Sequence, residues 1–211
     1  MEKLTIALAK GRPAKHTIET LEAADMQFID FHEKSRKLVF YNADESIKLI
    51  FVKAVDVPTY VERGAADIGI VGKDNILESR AEVYELLDLG IGKCKFSVAG
   101  FPDYTIDANR PLTVATKYPN VAEKHFSRKG QEIETVKLNG SVELAPLIGL
   151  ADVIVDIVET GNTLKENGLA VLEDIDDIST RLIVNKASFA TKATEVRSFI
   201  DQLNHALERT P

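Results

Sequence analysis

Apolar and polar residues fall in blocks along this chain, and the blocks differ in period. Leu4–Ala9, Ile47–Val52 and Leu112–Thr116 are short, largely apolar runs with polar flanks that read as strands. Leu38–Tyr41, Val83–Ile91, Lys95–Gly100, Ile133–Leu138, Leu169–Ile178 and Arg181–Ala187 read as further strands. Helical spacing fills the gaps. Pro13–Ala24 and Pro119–Lys129 each begin on a proline, which suits the first turn of a helix. Asp56-Val57-Pro58 opens another helix, capped by Asp56, that runs to Arg63 and stops at Gly64. Glu195–Glu208 puts Val196, Phe199, Ile200, Leu203 and Leu207 on one face, as in a surface helix docked on a core. Alternating strands and helices predict an α/β fold with mostly parallel sheets. The strand-rich middle, Val83–Gly100, predicts a crossover between lobes, with a return through Leu169–Ala187.

The stretch Ser141–Leu164, SVELAPLIGLADVIVDIVETGNTL, concentrates the chemistry. It predicts a helix over Ser141–Leu150, a buried parallel strand Val153–Val155 closing on Asp156, a turn at Thr160-Gly161-Asn162-Thr163, and a helix from Leu164. Open α/β sheets bind ligands outside the carboxyl ends of their strands. The free N–H groups and dipole of a helix start attract phosphate. Gly161 lets the backbone come close, the Thr160 and Thr163 hydroxyls add hydrogen bonds, and Asp156 can meet sugar hydroxyls or a metal. Taken alone, the pattern reads equally well as a plain strand-turn-helix connection with threonine as cap. Lys10-Gly11-Arg12-Pro13 is a second strand-to-helix turn with two cations and a glycine. By itself it reads more often as a solvated basic turn. Gly72-Lys73 is not a Walker loop, because Asp67 and Asp74 occupy the required glycine and hydroxyl positions. Gly90-Ile91-Gly92 is not a dinucleotide fingerprint, because Lys95 replaces the third glycine.

A chain of 211 residues allows one large domain or two small ones. Its net charge of −7 argues against non-specific nucleic-acid binding while leaving room for a local basic pocket. One cysteine, Cys94, excludes an intrachain disulfide and a Cys-rich zinc site. His16, His32, His125 and His205 lack metal-ligand spacing, and no Gly-x-Ser-x-Gly elbow exists, so no covalent nucleophile is expected. No apolar run approaches the roughly 20 residues of a membrane helix, and the opening segment is too short for a signal peptide. The expected location is the cytoplasm, with neither membrane nor nucleic acid as partner.

Together, Glu143, Gly149, Ala151, Ile154, Asp156, Ile157, Thr160, Gly161, Thr163 and Leu164 resemble the signature of the ATP phosphoribosyltransferases, the first enzymes of histidine biosynthesis. The turn also resembles the 5-phosphoribosyl diphosphate (PRPP) loop of the wider phosphoribosyltransferases. Those often carry two adjacent acids, whereas Asp156 is followed by Ile157, which sets this chain apart from the common Rossmann-like family. The run VERGAADIGIVGKD, Val61–Asp74, is similar to the same family, and Arg36 and Lys53 fall where it places basic residues facing substrate phosphates.

The resemblance implies a two-lobed, periplasmic-binding-protein-like (type II) fold with mostly parallel mixed sheets and a cleft between lobes. Domain I would comprise residues 1–94 plus 181–211, and domain II residues 95–180, carrying the PRPP loop. It implies catalytic roles for Arg36 and Lys53. Glu143, Asp156, Thr160, Gly161, Asn162 and Thr163 would hold PRPP, and Lys10, Gly11, Arg12 and Asp74 would hold ATP and the departing diphosphate. Mg²⁺ would act mainly through the substrate diphosphate, with Asp156 as the candidate protein contact. The chain stops soon after the Glu195–Glu208 helix, which matches the family's short form. That form works with a regulatory subunit resembling histidyl-tRNA synthetase, as a homodimer alone and a hetero-octamer with its partner. Histidine inhibition of this chain alone is then expected to be weak or absent. The rival reading is a binding module, since two-lobed folds also serve as solute receptors and effector domains. Neither an export signal nor a DNA-binding segment favours it.

Overall fold

The structure is a computed structural model and describes residues 3–10, 12–28, 30–32, 35–105, 107 and 110–209, without the side chains of Arg12 and Pro13. Contacts divide the chain into two compact units, Met1–Gly92 with Ser179–Pro211, and Lys93–Ile178. The sequence reading draws these borders at Cys94 and Thr180.

The first unit contains β1 (Leu4–Ala9), α1 (Arg12–Ala23), β2 (Val39–Tyr41), β3 (Ile47–Val52), α2 (Val57–Glu62), β4 (Ile68–Gly72), α3 (Lys73–Ser79) and β5 (Val83–Asp88). The second holds β6 (Cys94–Gly100), β7 (Leu112–Thr116), α4 (Pro119–Arg128), β8 (Ile133–Lys137), α5 (Leu144–Leu147), β9 (Val153–Val158), α6 (Asn162–Glu166) and β10 (Ala170–Ile178). The chain then returns to the first unit as β11 (Thr180–Asn185), α7 (Lys186–Thr191) and α8 (Ala193–Arg209).

The first unit's sheet has the order β2-β3-β1-β4-β11-β5. Its centre is parallel, with Ile6 beside Leu49 on one side and Ile68 on the other. β1 is buried on both faces, as its unbroken apolar run requires. Ile6 and Leu8 pack with Ile18 and Leu21 of α1 and Phe199 and Leu203 of α8. Ala7 and Ala9, alternating to the other face, admit Val57 and Val61 of α2. Asp67, just before β4, ties the layers together. It accepts from the Thr5 amide at 2.8 Å, the Ser188 hydroxyl at 2.6 Å and the Lys192 ammonium at 3.0 Å. A buried carboxylate is tolerable because these donors replace water.

The second unit's sheet has the order β10-β6-β9-β7-β8. β7 runs parallel to β8 and β9, while β6 pairs antiparallel with β9 and β10. Both sheets are therefore mixed. The strands linked through helices are parallel, and the strands on which the chain passes between units supply antiparallel neighbours. Ala99, Ala115, Ile154, Leu164 and Leu169 form part of one core layer, and Phe96 meets Tyr118 edge-on at 4.8 Å between ring centres.

Three local expectations are corrected. The helix predicted over Ser141–Leu150 is only Leu144–Leu147, because Ser141 (φ 48°) and Gly149 (φ 71°) leave the helical region on either side. Asp56 does not cap α2: it lies in the helical region at the end of a 3-10 turn, Ala54–Asp56, and makes no side-chain cap bond. β9 does not close on Asp156, because Ile157 and Val158 continue the ladder opposite Phe96 and Lys95. Asp156 thus sits inside the strand, opposite Ser97.

Candidate functional site

In the second unit the chain order changes sides at β7, with β8 on one flank and β9 on the other. Beyond β9, Glu159 and Thr160 form a turn and Gly161, at φ 73°, swings the chain into α6. The Thr160 hydroxyl accepts from the Asn162 amide at 3.4 Å, and the Lys165 amide donates to the Gly161 carbonyl at 3.1 Å. Buried Leu164 anchors the turn in the core, while Thr160, Asn162 and Thr163 remain exposed. The α6 start presents N–H groups that lack intrahelical partners. A pocket of about 200 Å³ gathers Glu143, Asp156, Thr160, Gly161, Asn162 and Thr163. All six residues singled out in the sequence for PRPP line this one pocket, with Glu143 and Asp156 half-buried.

The strand pair behind the turn is braced by Asp152. Its carboxylate accepts from both ends of the Arg110 guanidinium, at 2.9 and 2.6 Å, and from the Thr113 amide at 2.9 Å. Hydrogen bonding to Arg110 holds the Asp152 carboxyl below its ordinary value.

In the first unit, β3, β1 and β4 point their carboxyl ends the same way, and the chain order changes sides at β1. Lys53 and Lys10 follow the paired residues Val52 and Ala9, and the Lys10 amide donates to the Val52 carbonyl at 3.0 Å. The fold therefore sets these two cations side by side at the edge where open α/β sheets bind ligands. Asp74 follows β4 at the same edge, buried, and accepts from the Asn75 side-chain amide at 2.8 Å. A Cβ on Gly72 would stand 2.2 Å from Asp74 Oδ1, so the glycine lets this carboxylate fold back over the strand end. Lys10 also lines a pocket of about 430 Å³ together with Lys15, Lys37, Phe31, Phe40 and Phe51, and the Lys37 ammonium lies 5.8 Å from the centre of the Phe40 ring. Phe31 stacks on Phe51 at 5.4 Å, and Phe40 meets both edge-on. Cations around an aromatic floor suit a flat anionic ligand.

Arg36 is exposed, between Ser35 and Lys37 of that pocket's lining, and Lys53 is exposed beside Lys10. Gly11 and the Arg12 side chain lie outside the described residues. The sequence reading passed over Lys15, Lys37 and the three phenylalanines. Lys37 adjoins Arg36, which was a usable signal, whereas the rings are indistinguishable from core residues until the pocket is seen. Among the described residues, no group of three or more His, Cys, Asp or Glu could hold a metal ion, and no helix is long and apolar enough to cross a membrane.

The family model HisG, described as ATP phosphoribosyltransferase, matches residues 53–205. The ATP phosphoribosyltransferase of Oceanobacillus iheyensis is 66% identical over 204 residues, 97% of this chain and 98% of that one. That of Clostridium botulinum is 53% identical over 211 residues, 98% of this chain and all of its relative. Among solved structures, the ATP phosphoribosyl transferase (HisG:HisZ) complex from Thermotoga maritima matches with a TM-score of 0.86 at 36% identity, covering 97% of this chain and 98% of that one. The periplasmic aliphatic sulphonate binding protein SsuA from Escherichia coli matches with a TM-score of 0.58 at 14% identity, over 98% of this chain and 69% of that one, and so shares the periplasmic-binding-protein-like fold. The chain belongs to the ATP phosphoribosyltransferase family, the pentosyltransferases that carry out the first step of histidine biosynthesis.

Proposed function

We propose that the chain is a short-form catalytic subunit. It joins ATP, through adenine N1, to the anomeric carbon of PRPP by direct displacement, releasing diphosphate and phosphoribosyl-ATP. The gathering of Glu143, Asp156 and Thr160–Thr163 in one pocket carries this reading. The Thr160–Thr163 turn binds the 5′-phosphate through backbone N–H groups and hydroxyls. Glu143 and Asp156 accept from the ribose hydroxyls, and their charge favours the cation-like sugar of the transition state. Adenine already carries a lone pair at N1, so the reaction needs no strong base. The demanding part is the negative charge that builds on the diphosphate. Lys53 and Arg36 act there, with Lys10, Gly11, Arg12 and Asp74 holding ATP and the leaving group.

Members of the family use a divalent metal, and we assign it as Mg²⁺. Two half-buried carboxylates in the pocket proposed for PRPP fit an ion that keeps its waters and takes one or two carboxylates plus substrate oxygens. When bound, it neutralises the diphosphate. Asp156 and Glu143 are the residues that would meet it.

A relative of known structure is a HisG:HisZ complex, which supports a regulatory partner here; a homodimer alone and a hetero-octamer with the partner are part of the same proposal. Histidine feedback then resides in the partner. The test mixes the chain with Mg²⁺, ATP and PRPP, with and without that partner, and follows diphosphate release. Turnover that rises on adding the partner is expected. Binding without turnover in both arms would overturn the proposal in favour of a binding module.

A further inference from the structure

The chain passes between its units after Gly92 and again after Ile178. Asp88, at the end of β5, joins the two passages. Its Oδ1 accepts from the Gly90 amide at 2.9 Å and from the Ser179 hydroxyl at 2.7 Å, and its Oδ2 lies 3.0 Å from the Arg181 guanidinium. The backbones are stitched alongside: Leu89 N–H donates to Thr180 O, and Thr180 N–H to Ile91 O, both at 2.9 Å. Just beyond, Gly90 and Gly92 stand at φ 67° and 65°, a backbone that glycine adopts without strain.

The same cluster reaches the edge assigned to ATP. The Lys73 amide, at the turn carrying Asp74, donates to the Ser179 carbonyl at 3.0 Å. Arg181 also pairs with Glu85 at 3.3 Å, and the Lys73 ammonium lies 3.9 Å from that carboxylate. β5 and β11 are already joined by their ladder from Val83–Asn185 to Asp88–Arg181. The Asp88 side chain therefore adds little to the sheet and much to the passages.

We infer that Asp88 is a positioning residue for the transfer reaction. It holds Ser179, whose carbonyl receives the Lys73 amide, and so fixes the Lys73–Asp74 turn at the edge assigned to ATP. It touches neither substrate. The inference rests on the reading that the turn carrying Asp74 helps to hold ATP. Reacting atoms must then approach to about 3–3.5 Å, and small misplacements are expensive in rate.

The test compares Asp88→Ala, Ser179→Ala and Ser179→Thr with the parent, with the regulatory partner present. It measures turnover at saturating ATP and PRPP, and PRPP binding alone by calorimetry. Both alanine variants should lose about tenfold in kcat, because the Lys73–Asp74 turn no longer holds ATP in the reacting geometry. Their PRPP affinity should stay within about twofold of the parent, since the pocket lies in the other unit. Ser179→Thr keeps the hydroxyl and should restore turnover. Where Asp88→Ala does not fold, the Ser179 pair decides. Parent-like kcat in folded Ser179→Ala, or PRPP affinity falling in step with kcat, would overturn the inference. A parent that itself fails to turn over would instead overturn the reading beneath it.

Discussion

Gly161→Ala isolates the geometry of the turn proposed to bind the 5′-phosphate. The residue stands at φ 73°, and an added Cβ would meet nothing closer than Val158 Cγ1 at 3.8 Å, an ordinary contact. Steric conflict with neighbours therefore contributes little. What remains is the left-handed backbone itself, which costs about 1–2 kcal/mol for a residue with a Cβ. That cost falls on every state in which the turn keeps its shape. If the free chain holds the turn, the loss appears in folding stability. If the short helix α6 relaxes, the loss appears as weaker PRPP binding. The two losses should sum to about 1–2 kcal/mol, and carried wholly by binding they raise Kd about five- to thirtyfold. Urea melts and calorimetric PRPP titrations on parent and variant measure both parts. Gly161→Asn, whose side chain tolerates this conformation, should lose less. No change in either quantity, or a Kd raised far beyond thirtyfold, would refute the claim that the turn's left-handed geometry shapes the phosphate site.

Three further outcomes are expected. Lys53→Ala should lower turnover on the order of 10²-fold, the scale of removing one donor from developing charge, with PRPP binding less affected; equal initial rates in variant and parent would remove Lys53 from the mechanism. Gly72→Ala places a Cβ 2.2 Å from Asp74 Oδ1 and must push that carboxylate away, so the KM for ATP should rise while calorimetry shows unchanged PRPP affinity. Arg110→Ala removes the partner that holds the Asp152 carboxyl below its ordinary value. A depressed folded pKa stabilises above the unfolded value and is lost as pH falls through the folded one. The variant's urea midpoint should therefore trail the parent near pH 7, and the gap should close by about pH 2.

Much of the fold was readable from periodicity. Leu4–Ala9, Ile47–Val52 and Leu112–Thr116 are strands with the same bounds in the structure, because each is a short, largely apolar run between polar flanks. Pairing was not readable. Nothing in Arg181–Ala187 or Lys95–Gly100 announces antiparallel partners, since strand direction depends on how distant segments return. The helix predicted over Ser141–Leu150 failed because apolar spacing does not register the left-handed turns at Ser141 and Gly149. The residues proposed for PRPP could be grouped from the sequence because, apart from Glu143, they cluster around one turn, and they line one pocket. The hubs Asp67 and Asp88 were not, because their partners, Ser188 and Ser179, lie 121 and 91 positions away.

Hydrogen–deuterium exchange with and without PRPP tests most directly whether the Thr160–Thr163 turn grips the sugar phosphate. With PRPP in that pocket, exchange slows in peptides covering Thr160–Leu164 and Glu143, and the Lys10–Lys15 peptide stays unchanged until ATP is added. Saturating PRPP that leaves Thr160–Leu164 exchanging as in the free chain would contradict the assignment.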